Sequence, residues 1–140
     1  MTTQSVTLQL SEPVFLYLQQ VAAATQRPLE QVVRQSVEGN LPPSVSSMPS
    51  EMQVELLGLQ ALPVEQLLHI AAEQVPPMDQ ARHLELLDRN SAGSITAAER
   101  VELAALREAA DHTMLRKAYA WSVLRWRGHP VPLLNELPLE

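Results

Sequence analysis

Two pairs of side chains have the types and the spacing for acid–base or metal chemistry. His69 and Glu73 stand four residues apart, as do Asp79 and His83, and that spacing puts both members on one helix face. An imidazole beside a carboxylate is an arrangement that holds a metal ion or passes a proton. The rest of the sequence does not build on either pair. It contains no HExxH, no GxSxG, no glycine-rich phosphate loop and no cysteine. Its carboxylates are spread as they are on solvated helix faces. The expectation is a protein that is not an enzyme and has no cofactor and no bound metal.

Residues 88–99 look like an EF-hand calcium loop. Asp88 and Asn90 take the first and third ligand positions, Gly93 the sharp turn, and Glu99 the bidentate twelfth. Position five is Ala92, and Arg89 puts a cation inside the ring. Helix grammar accounts for the same residues: Asn90 and Gly93 end one helix, Ile95 staples, and Thr96 with Glu99 caps the next. The expectation is a helix–helix junction that holds no cation.

A third group is basic and aromatic: Arg116, Lys117, Tyr119, Trp121, Arg125, Trp126, Arg127 and His129. In a chain of net charge −6 this is a local reversal of sign. Tyr119 and Trp121 have the spacing of core anchors, and the cations suit the negative end of a helix dipole. Arg125, Trp126 and Arg127 stand as a candidate surface for a protein partner.

The elements that must position these groups are helices. Apolar residues make up 46% of the chain but aromatics only 4%, so the core is built from Leu, Val and Ala, as in helix-on-helix packing. Eleven prolines against four glycines cut the chain into short helices. Residues 5–10 are the exception. Val6, Leu8 and Leu10 alternate with Ser5, Thr7 and Gln9, which predicts a half-buried strand. A lone strand leaves both edges open, and no second strand is nearby, so a copy of the chain is the expected partner. Ser11 then caps a helix with Pro13 in its first turn, and Pro28 opens a second that stops at Gly39 and Asn40. Ser- and Pro-rich residues 44–50 read as a linker. Ser50 and Gln53 mark a capping box for a third helix, Pro63 begins a fourth, and residues 79–89 a fifth. A long sixth helix carries Leu103, Leu106, Ala110, Met114, Trp121 and Leu124 for roughly 45 Å, to about residue 127. The expected division is 1–43, a dimerisation module; 44–50, the linker; 51–130, a helical domain; and 131–140, a Pro- and Leu-rich tail.

The order strand, Ser-capped helix, tight break, apolar helix over residues 5–42 resembles the ribbon–helix–helix proteins of the Arc, MetJ and CopG kind. The likeness implies a homodimer whose paired strands enter the major groove of DNA, with Thr7, Gln9 and Ser5 facing base edges. Gln reads adenine through its amide and Thr touches a thymine methyl. Arg27, the first cation in the chain, joins them as a DNA-contacting residue. The likeness further implies an antitoxin-like or transcription-regulator protein whose C-terminal helices bind a toxin, a nuclease or another protein. The alternative is an adaptor or assembly subunit that never meets DNA, and the lack of Lys or Arg before Arg27 points that way. No apolar run approaches the ~18 residues of a membrane span, and residues 1–10 lack a signal-peptide pattern. The expected location is the cytoplasm, away from membranes.

Overall fold

The computed structural model describes residues 2–130. The mainly helical expectation holds, but the ribbon–helix–helix fold class does not. All regular structure among the described residues is helical, and residues 2–11 form no strand. A strand has no hydrogen bonds of its own to close. With no extended neighbour to pair with, the alternating segment stays irregular, and Val6 is left 80% exposed. The chain divides into two compact units, Met1–Leu41 and Pro42–Glu140.

The first unit is a helical hairpin of α1 (Glu12–Thr25) and α2 (Leu29–Glu38). Ser11 sits at the N-cap position with extended backbone, although its hydroxyl makes no cap hydrogen bond. Pro13 follows where a missing N–H costs nothing. The break is sharp because Gln26 adopts a left-handed conformation (φ 53°) and the Arg27 N–H turns back to the Ala22 carbonyl at 3.1 Å. Pro28 then accepts from the Gln31 and Val32 amides and starts α2. Arg27 bridges the turn, donating to Thr25 Oγ1 at 3.3 Å and to Gln35 Oε1 at 2.6 Å. Only Ala22 and Val32 are buried in this hairpin.

The second unit holds α3 (Ser50–Gly58), a 3-10 turn (Leu59–Ala61), α4 (Val64–Ala71), α5 (Pro77–Ser91) and α6 (Ala97–Trp126). Pro49, not Ser50, is the N-cap of α3, and the expected Ser50–Gln53 box does not form; Gln53 donates to the Met48 carbonyl instead. The core joins Met52, Leu56 and Leu59 to Leu67, Ile70 and Ala71 of α4 and to Tyr119, Ala120, Val123 and Leu124 of α6. Val45, inside the stretch expected as a linker, is buried in the same core, and Met48 packs against it. The 30-residue α6 does not bury one face throughout. Leu103 is buried beside α5, whereas Val123 is buried in the main core. At ~100° per residue these positions lie roughly 160° apart around the helix. The two halves of α6 thus serve two different contacts, and Met114 between them is 60% exposed.

The α5–α6 junction is the one expected from helix grammar. Gly93 has φ 72°, Ser94 N–H returns to the Arg89 carbonyl at 3.0 Å, and Thr96 and Glu99 form a complete capping box. Replacing Thr96 with Ala should cost about 1 kcal/mol in chemical denaturation. A loss under a few tenths would mean that the box is redundant with the ion pairs around it.

Candidate functional site

The polar groups that sequence reasoning singled out for chemistry go three separate ways. His69 and Glu73 do come together, lining an open cleft of about 390 Å³ with Leu62, Glu65, Gln66, Ile70 and Arg116. The helical spacing of α4 and the turn after it places them, and α6 brings Arg116 opposite. The Arg116 guanidinium lies 3.7 Å from Glu55, through its buried Nε, and 3.8 Å from Glu73, both beyond direct hydrogen bonding. Beside it, His112 Nε2 meets Glu55 Oε2 at 2.9 Å and ties α6 to α3. The cleft therefore sets two carboxylates, Glu65 and Glu73, around one guanidinium over an apolar floor of Leu62 and Ile70. No nucleophile in it is held by a base. Asp79 and His83 lie apart on α5, and no group of three or more metal-ligating side chains occurs among the described residues.

The loop of residues 88–99 is committed to salt bridges. Arg82 donates to both Glu102 oxygens at 2.8 and 2.9 Å and to Glu85 at 3.0 Å, while Arg89 reaches Glu85 at 2.8 Å and Glu99. The Thr96 backbone N–H, then its hydroxyl and Arg89, holds the Glu99 carboxyl below its ordinary range. Arg82 does the same to Glu102, through its hydrogen bond first and its charge second. The carboxylate that would take a cation's twelfth position is already capping α6. Because both pKa values fall on folding, these carboxyls stabilise the protein above the unfolded glutamate value of about 4.3. That stabilisation drains away as pH falls through their lowered values. A Glu99→Gln, Glu102→Gln variant should show a flatter loss of thermal midpoint between about pH 5 and 2 than the parent chain. Parallel curves would show that other carboxyls govern the acid transition.

The expected contact residues are distributed over both units. Ser5, Thr7 and Gln9 are exposed but lie on no strand, so no ribbon face groups them. Arg27 is half-buried and engaged within its own hairpin. At the end of α6, Arg125 and Trp126 are exposed, whereas Arg127 donates to the Leu62 carbonyl at 2.6 Å and to the Gln60 carbonyl. Arg127 thus fastens α6 to the turn before α4. The tail, residues 131–140, lies outside the described residues.

What sequence reasoning missed is apolar. Nine large hydrophobic side chains between Val6 and Leu41 are each more than a third exposed. Four of them, Val14, Phe15, Leu16 and Tyr17, are consecutive, so they point to all sides of α1. A helix apolar all round is a buried helix, yet α2 covers a single side. The signal was present as an unbroken run of five, residues 14–18, where an amphipathic helix would carry a polar residue. Charge is nearly absent as well: Glu12 is the sole charged side chain from Thr2 to Gln26.

Compared with known proteins, the chain matches no family model, no curated sequence and no solved structure. No helix among the described residues is long and apolar enough to cross a membrane.

Proposed function

We propose that the protein is a non-catalytic adaptor that associates with a second copy of itself through the α1–α2 hairpin, leaving its larger helical unit to engage another protein. The observation that carries this reading is the uncovered apolar circumference of α1. A hairpin of about forty residues rarely holds its fold without a disulfide, a metal or association with another chain. Cysteine is absent, and the hairpin's own helices bury one residue each.

Charge argues for the second copy as the occupant. A charged partner finds little to pair with on the stretch from Thr2 to Gln26, whereas an identical copy of that stretch brings only Glu12 as a like charge. Nine partly exposed large side chains are also of the order needed to supply the ~800 Å² per partner of a specific interface. The association is helix against helix. A DNA-reading regulator requires a face that aligns Ser5, Thr7 and Gln9, so the adaptor is the reading that the hairpin favours.

Light scattering coupled to size exclusion tests the proposal on the full chain. The expected result is a dimer at micromolar concentration, without steep salt-dependent binding to duplex DNA. A monomer at every concentration overturns self-association. A dimer that binds DNA with affinity falling steeply as salt rises replaces the adaptor with a regulator.

A further inference from the structure

We propose that the outer stripe on the C-terminal half of α6 docks an acidic amphipathic helix from another protein. The stripe begins as an interface inside the second unit. Leu103 and Leu86, both buried and both outside the main core, mark the contact between α6 and α5. Trp121 lies eighteen residues after Leu103, about five turns at ~3.6 residues each, and so faces the same side. Met114 and Arg125 flank that line within roughly 40°.

Helix α5 covers just the first part. Arg82 on Glu102 and Arg89 on Glu99 set an antiparallel alignment. With Pro77 as its first residue, α5 runs out about two turns before Met114. Beyond that point Met114, Ala118, Ser122 and Arg125 are exposed, and Lys117 and Trp121 are half-buried. Trp121 rests one side on the main core, and the exposed side chains around it leave the outer part of the stripe open where α5 no longer covers it.

Charge selects the partner. Residues 112–130 contain no Asp or Glu, in a chain whose net charge is −6. Arg116 has Glu55 and Glu73 beside it, and Arg127 is bound to carbonyls. Lys117 and Arg125 are in no ion pair among the described residues. They bracket Trp121 four residues away on either side, so one helical stripe carries cation, aromatic and cation in succession. The small side chains of Ala118 and Ser122 let a partner helix approach closely. The fitting occupant has an apolar i, i+3, i+4, i+7 face flanked by Asp or Glu. Two cations give a weak grip on a phosphate backbone.

The full chain with Trp126→Phe retains Trp121 as its single tryptophan, so its emission reports on this surface. It is titrated with two synthetic helical peptides sharing one leucine face, one flanked by Glu and the other by Lys. The Glu peptide should shift the emission and bind about tenfold tighter at low salt. Lys117→Glu with Arg125→Glu, at exposed or half-exposed positions, should reverse the preference while helicity by circular dichroism stays constant. Ala118→Gln, which keeps the charges but fills the gap, should weaken the Glu peptide about tenfold. Equal binding of the two peptides, no binding by either, a preference that survives charge reversal, or tighter binding of duplex DNA overturns the proposal.

Discussion

Tyr119→Ala should destabilise the second unit by about 4 kcal/mol, a large share of what holds a domain of this size folded. The ring is 1% exposed and is the largest fully buried side chain. Its hydroxyl donates to the Pro43 carbonyl at 2.8 Å and accepts from Gln60 Nε2 at 2.7 Å. One residue therefore clamps α6 to the 3-10 turn and to the segment that enters the unit. Truncation leaves a cavity and strands both partners, and each stranded polar group adds to the cost of lost packing. For a unit of about a hundred residues the thermal midpoint should fall by roughly 15–30 °C. Tyr119→Phe separates the two contributions. It keeps the packing and should cost about 1–2 kcal/mol. Denaturant titration followed by circular dichroism measures both, and an alanine variant within 1 kcal/mol of the parent would remove Tyr119 from its central place.

The second large effect is expected at the hairpin. Leu16→Glu with Tyr17→Glu puts two carboxylates on sides of α1 that α2 does not cover; the parent side chains are 53% and 65% exposed. In a monomer such changes are nearly neutral, because exposed positions tolerate charge. In a symmetric dimer they bury charge against apolar surface and against its own copy. The dimer should weaken by at least about a hundredfold, about 2.7 kcal/mol, with the second unit's melting unchanged. Gln31→Glu, on the polar face of α2, should leave the mass unaltered. If the double variant keeps the parent's dimeric mass, the association uses another surface.

The balance of forces differs between the two units. The second has a core that joins its entering segment, three helices and the turn between them, closed by Tyr119 and Arg127. The hairpin has no comparable core of its own. Its large apolar side chains face outward, which is the feature the proposed self-association would cover. Under the proposed function, assembly and engagement of other proteins fall to different units, so mass and peptide affinity are the informative measurements.

The punctuation of the chain was legible in local sequence. Pro13, Pro28 and Pro63 stand at helix starts, Gly93 and Gly128 have positive φ where helices have ended, and Thr96 with Glu99 caps α6, because these effects act within one or two helical turns. Residues 5–10 were misread because alternation records what a strand would bury, whereas a ladder needs a neighbour that no local pattern supplies. Three further outcomes belonged to tertiary contacts alone. Arg127, expected on a partner surface, holds two carbonyls of the turn before α4, more than sixty residues earlier in sequence. His69 and Glu73 gained Arg116 as a neighbour only when α6 lay across α4. Met114 and Leu103 share one apolar stripe, yet Leu103 is covered and Met114 is open, because the length and register of α5 decide where the cover ends. Periodicity marks which side of a helix is apolar; the packing of distant segments determines which part of that side is buried.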